Sequence, residues 1–217
     1  MARPRRSAAR PRAPLSRERI VEGALARADR EGLDALSMRN LGRELRCEAM
    51  SLYHFFPSKQ HLVDALVEHA LGSIEFPDPG LPAIERLRGI FLAYRAMAHR
   101  YGRIFPLVAV HRLNTPWGVR LIERVLQAVR DVVGDDELAA RYFRAGGYYL
   151  MGTGLDETSG YAKGPSAAEP VDDEFIAREC PLLARSARYF QRSEWDRTFE
   201  LGLEAMISAI ERSARAR

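Results

Sequence analysis

Residues 37–56 read SMRNLGRELRCEAMSLYHFF, two short apolar rhythms of helical spacing around a compact break at Leu45–Glu48. Apolar residues three and four apart share one face of a helix, so Leu41 and Leu45 mark one inner stripe and Leu52 and Phe56 another. A break of a few residues leaves room for a turn and little else. The segment is therefore constrained to two short helices with a common inner side, which Leu41, Leu45, Cys47 and Leu52 face. Arg39 and Arg43 on the first helix, and Ala49, Met50, Ser51, Tyr53 and His54 on the second, are left outside. A helix-turn-helix has this form: its first helix is held on the core, and its second offers an exposed face to the major groove of DNA. The outward residues suit that task. Ser51 and Tyr53 can hydrogen-bond phosphates or base edges, Ala49 and Met50 can touch a thymine methyl, and Arg39 can reach guanine acceptors.

The surrounding pattern is helical throughout. Ser16 is an N-cap for a helix carrying Ile20, Ala24, Leu25 and Ala28, which Gly32 ends; Ser37 caps the next, and Ser58 opens a longer one with Leu62, Ala65, Leu66 and Ala70. Phe76–Pro82, FPDPGLP, cannot continue a helix and marks a boundary. Longer stripes follow: Leu87 to Tyr101, Leu121 to Val129, and Trp195 to Ile210. Between the last two lies a segment with Gly146, Gly147, Gly152 and Gly154, which lower helix propensity but permit close approach of packed helices. Residues 160–173 read as a loop. With no alternating strand pattern and no internal repeat, the expected fold class is all-α. The expected organisation is a disordered basic arm at 1–15, a three-helix helix-turn-helix domain at 16–75 and a larger helical domain at 82–214.

Charge is unevenly placed. Residues 1–57 hold 12 arginines against 7 acids, whereas residues 58–217 hold 21 basic residues against 22 acids. The basic excess is N-terminal, as expected of a segment that meets a polyanion. Five of those arginines stand in the first 15 residues, an arm for phosphates or the minor groove on one reading and a solvated tail on the other. No apolar run has the length of a membrane span, and the basic N-terminus lacks the apolar stretch of a secretory signal. Cys47 and Cys180 belong to no metal-binding cluster. A cytoplasmic protein with neither membrane nor cofactor is expected.

Catalysis finds no support: GxSxG, Walker and GxGxxG patterns are absent. His61, Asp64 and Glu68 have the spacing of a metal-binding helix face, which a solvated face with local ion pairs explains as well. His99, near Arg95 and Arg100, reads as a surface or half-buried histidine.

With Ser37, Leu41, Leu45, Leu52, Tyr53, Phe56 and Lys59 in these positions, residues 16–75 resemble the DNA-binding domain of the TetR family of bacterial transcriptional regulators. One departure is Arg46, at a turn position usually filled by glycine; positive φ there would cost roughly 1 kcal/mol. The resemblance adds Ser37 and Lys59 to the DNA-contacting set. YYLMGTGLDE at 148–157, CPLLARSARYF at 180–190 and FELGLEAMISAIE at 199–211 resemble the ligand-binding and dimerisation domain of the tetracycline-repressor branch.

The resemblance implies a homodimer, a palindromic double-stranded operator and a small-molecule effector of unknown identity that releases a repressor. Gly147, Met151, Phe199, Leu203, Met206 and Ile210 are the implied dimer interface. Ile90, Tyr94, His111, Trp117 and Tyr149 are candidates for the effector lining. Glu75 stands where the tetracycline-contacting histidine would align, which argues against tetracycline itself. A constitutive or architectural DNA-binding protein without effector shares the N-terminal argument and would differ in having a solid C-terminal core.

Overall fold

The computed structural model describes residues 14–159 and 167–216, which excludes most of the arginine-rich arm and the first part of the expected loop. The helices are α1 (Arg17–Glu31), α2 (Met38–Leu45), α3 (Ala49–Tyr53), α4 (Lys59–Gly72), α5 (Ala83–Arg100), α6 (Phe105–Val110), α7 (Pro116–Val133), α8 (Asp136–Ser159), α9 (Asp173–Glu179), α10 (Pro181–Ser186) and α11 (Trp195–Arg215). Among the described residues there is no strand. The chain divides into two compact units, 1–63 and 64–217, so the division falls inside α4 and not at the proline-rich stretch 76–82.

In the first unit, α1 begins where the Ser16 hydroxyl accepts the Arg19 amide at 3.2 Å and ends at Gly32, whose φ is 81°. The Ser37 hydroxyl accepts the Asn40 amide at 3.1 Å and starts α2 in the same way. Ile20, Ala24, Ala28, Leu41, Leu52, Phe56 and Leu62 have no more than traces of surface and form the small core. Polar links reinforce it. The Arg27 guanidinium donates to the Ala35 carbonyl at 3.0 Å, and both Arg27 and Arg30 pair with Glu44 on α2. Arg17 donates to the Phe55 carbonyl and lies 4.3 Å over the Phe56 ring, which ties α1 to the segment after α3.

The α2–α3 turn depends on two residues. Arg46 adopts φ 55° and ψ 45°, the left-handed region, and is the one non-glycine residue with positive φ among the described residues. Gly42 supplies space, because a Cβ there would meet the Cys47 carbonyl oxygen at 2.9 Å. The Cys47 amide donates to the Gly42 carbonyl at 2.9 Å and closes the turn. Phe56 lies beyond α3: it precedes Pro57, which biases it away from helical backbone, and α3 stops at Tyr53.

In the second unit α5, α7, α8 and α11 pack against one another around Leu87, Phe91, Val129, Val133, Leu150, Phe199, Leu203, Ile207 and Ile210. Two glycines of α8 accommodate rings from neighbouring helices: a Cβ on Gly146 would meet Phe91 at 2.6 Å, and one on Gly154 would meet Phe105 at 2.4 Å. Gly147 and Gly152 face open space. Periodicity did not reveal α6, α9 or α10, which are six or seven residues long and lack a repeating apolar stripe.

Relieving the left-handed arginine should stabilise the fold. Arg46→Gly is expected to raise the unfolding free energy by about 0.5–1 kcal/mol in urea titrations, since glycine reaches positive φ without a Cβ clash. No change, or a loss, would mean that the Arg46 side chain makes a compensating contribution.

Candidate functional site

Helix α3 presents two different sides. Leu52 is fully buried, whereas Met50 keeps 67% and Tyr53 40% of its surface exposed. His54 is exposed, and Ala49 and Ser51 are half-buried. Positions 49 and 53, and 50 and 54, lie one turn apart, so these residues make one continuous outward face. Arg39 on α2 and Lys59 at the start of α4 are exposed. Ser37 is half-buried and its oxygen is engaged in capping α2, which leaves the hydroxyl hydrogen as a donor.

The charges of this unit divide into two sets. Glu44 takes up Arg27 and Arg30; the hydrogen-bonded Arg30 guanidinium, with Arg27, holds its carboxyl below the usual carboxylate range against the opposing effect of burial. Arg39, Arg43, Arg46 and Lys59 have no ion-pair partner among the described residues; Arg43 makes a hydrogen bond to the Asn40 side chain. Arg27 and Arg30 of α1 are thus paired within the fold, whereas the cations of α2, the turn and α4 have no carboxylate partner among the described residues.

The metal-like trio of α4 does not converge. His61 is hydrogen-bonded to Ser58 at 2.8 Å, Asp64 to His111 at 2.9 Å, and Glu68 accepts from Thr115 at 2.8 Å. No group of three potential metal ligands occurs among the described residues. Glu75 is exposed beyond the end of α4.

The candidate effector residues have separate roles in the second unit. Ile90 is buried, with its side chain shared between the core and a cleft of about 510 Å³. Tyr94 packs edge-on to Phe105, and burial pushes its hydroxyl up to about 12. The His111 side chain is only 10% exposed; its Nε2 meets Asp64, and its Nδ1 is buried without a partner. Trp117 is half-buried beside Gly72. Tyr149 is committed to α11: it stacks on Phe199 and donates to the Phe199 carbonyl at 2.5 Å. Burial raises its hydroxyl above the ordinary tyrosine range. Of the five, Ile90 alone lines the cleft.

Sequence reasoning missed Glu157. Its side chain is 5% exposed and accepts a two-pronged hydrogen bond from Arg95, both contacts at 2.8 Å, together with one from His99 at 2.6 Å. Arg95 also meets Asp196 and lies 4.5 Å over the Phe199 ring, so α5, α8 and α11 are joined at one point. The only signal in the sequence is an acid following the glycine-bearing apolar segment, which looks no different from a helix-end residue.

Known proteins share both units. The family model described as Tetracyclin repressor-like, C-terminal domain, matches residues 76–214, and that described as Bacterial regulatory proteins, tetR family, matches residues 20–66. The chain belongs to the TetR family. HTH-type transcriptional repressor DrrR1 of Streptomyces coeruleorubidus is 28% identical over 194 residues, 85% of this chain and 70% of that protein. Tetracycline repressor protein class D of Escherichia coli is 26% identical over 216 residues, 92% of this chain and 90% of that protein. The Streptomyces coelicolor TetR family protein ActR in complex with actinorhodin superposes with a TM-score of 0.73 at 30% identity, covering 93% of this chain and 99% of that one.

The TetR assignment agrees with the all-helical, helix-turn-helix reading of the sequence. It does not free the expected interface residues. Phe199, Leu203 and Ile210 are buried in the subunit's own core, with Leu203 only 1% exposed, because the stripe that suggested an interface is the one α11 turns toward α5, α7 and α8. Met206 packs partly against the same core, and Gly147 and Met151 are half-buried. The surface of α11 left outside carries Leu201, 74% exposed, with Ala205 one turn on; that of α8 carries Tyr148 and Gly152.

The Glu157 junction is expected to behave as a buried ion pair. Glu157→Gln, which leaves the buried Arg95 charge short of its main partner, should cost about 2–4 kcal/mol in urea unfolding, whereas the double replacement Arg95→Met with Glu157→Leu should cost less. A double variant no more stable than the single one would contradict this account.

Proposed function

We propose that the protein represses transcription as a homodimer bound to a palindromic double-stranded operator, and that a small molecule taken up by the C-terminal domain releases it. The observation that carries the reading is the outward face of α3, flanked by cations that pair with no acid among the described residues. In this reading residues 16–75 bind DNA and residues 82–214 bind the effector and dimerise. Arg39, Ala49, Met50, Ser51 and His54 meet base edges, and Ser37, Tyr53 and Lys59 meet phosphates. The protein acts in the cytoplasm and catalyses no reaction.

The exposed residues of α8 and α11, Tyr148, Gly152, Leu201 and Ala205, fit the dimer interface better than the buried stripe does. Dimerisation through one self-complementary patch sets two α3 helices on one face of the duplex about one turn apart, or somewhat more.

A route for release is available within the fold. His111 and Thr115, on the segment joining α6 to α7, bond Asp64 and Glu68 of α4. Helix α4 starts in the DNA-binding unit, so a ligand that favours a different position of this segment shifts α4 and with it the helix-turn-helix. Differential affinity for the two arrangements is all that such coupling needs. The actinorhodin complex of ActR supports a ligand-responsive reading. A constitutive DNA-binding protein would lack any ligand effect on operator affinity.

Titration of variants on the best-bound duplex and on a scrambled one tests the contact assignment. Tyr53→Ala and Lys59→Ala are expected to weaken binding to both duplexes alike. Ser51→Ala and Arg39→Ala should erode the preference between them, by about 1–3 kcal/mol for a base-contacting residue. Equal losses on both duplexes for all four variants would refute the assignment.

A further inference from the structure

The cleft of about 510 Å³ in the second unit falls in the size range of small-molecule sites and lies between α5, α7 and the proline-rich segment after α4. That segment is fastened at two points. Pro77 sits where a side chain on Gly89 of α5 would be, with a Cβ there meeting Pro77 Cγ at 2.4 Å. The centre of the Phe76 ring lies 3.6 Å from the Arg124 guanidinium of α7. The resulting walls are apolar at Phe76, Pro77, Pro79, Ile90 and Ala128.

The polar groups are less evenly matched. Arg86 is paired with Asp131, to which Gln127 also donates, and the Nε of Arg86 is buried with no acceptor. Arg120 has no carboxylate or ring partner among the described residues, and Arg124 has its ring contact but no carboxylate. Glu123 also lines the cleft and is itself without an ion-pair partner there. Three guanidiniums thus face two carboxylates, an excess of one positive charge.

We propose that this cleft binds an apolar or aromatic monoanion, its ring system against Phe76, the prolines and Ile90 and its single carboxylate or equivalent acid group toward Arg120 and Arg124. A dianion would exceed the uncompensated charge, and a cation would meet the guanidiniums. The site shares only Ile90 with the effector lining expected from sequence. Its consequence rests on the effector-responsive reading above: a ligand wedged between α5 and α7 bears on the start of α7, where Thr115 holds Glu68 of α4.

Isothermal titration of the full chain, without DNA, against 2-naphthoate, 2-naphthalenemethanol and 2-naphthylmethylammonium separates this proposal from the repressor reading. The expected order is anion over alcohol over ammonium, with one naphthoate per chain. Arg120→Gln should weaken naphthoate about three- to tenfold and leave the alcohol unchanged, as removal of an exposed charge-assisted contact does. Gln127→Trp, which fills the cleft from its exposed side, should abolish binding of both. Absence of naphthoate binding, equal affinity for all three probes, or insensitivity to both substitutions would overturn the site. Naphthoate binding that responds to the substitutions but leaves operator affinity unchanged would uphold the site and count against the effector reading alone.

Discussion

Arg46 holds left-handed backbone between a helix of eight residues and one of five, and the outward side chains of α3 are aimed by that bend. Helices this short have little stability of their own, so their geometry is imposed by what they pack against. Gly42 admits the returning chain, the Cys47 amide closes on the Gly42 carbonyl, and Leu52 and Phe56 drive one side of the α3 region into the core. Met50, Tyr53 and His54 are outside because Leu52 is inside. The same economy governs charge: pairing of Arg27 and Arg30 with Glu44 fixes α1 to α2 and leaves the cations nearer the outward face uncompensated.

The second unit shows how one helix can serve two purposes. Gly146 and Gly154 of α8 sit under Phe91 and Phe105, while Gly147 and Gly152 open onto space. The first pair is required by packing within the subunit; of the second, Gly152 is exposed and Gly147 half-buried. The junction of Arg95, Glu157, His99 and Asp196 adds direction to a core that is otherwise held by non-directional burial. Because desolvation of its charges offsets much of their attraction, its net contribution to stability is smaller than the number of its contacts suggests.

Much of this is legible in the sequence. Ser16 and Ser37 cap the helices that the spacing assigns to them, Gly32 ends α1, and the exposure of Met50, Tyr53 and His54 follows from the spacing of Leu52 and Phe56, whereas Ala49 and Ser51 are half-buried. The positive φ at Arg46 is also foreseeable, since the turn demands it whichever residue fills it. Periodicity is less informative about partners. The stripe from Phe199 to Ile210 identifies a buried face of α11, but it does not distinguish burial by neighbouring helices of the same chain from burial by a second copy. Glu157 is invisible for a related reason: its donors are 58 and 62 residues away on α5, and nothing local marks them. The short helices α6, α9 and α10 have too few turns to establish a period.

The central claim is that α3 and its flanking cations read a particular DNA sequence. Selection of bound fragments from a pool of randomised duplexes tests it directly, because the pool contains every candidate half-site. The account predicts enrichment of a palindrome whose half-sites are about one helical turn apart or somewhat more, with affinity falling steeply as salt rises. Enrichment of no motif, with salt-sensitive binding to every duplex alike, would contradict it and leave only a non-specific polyanion surface.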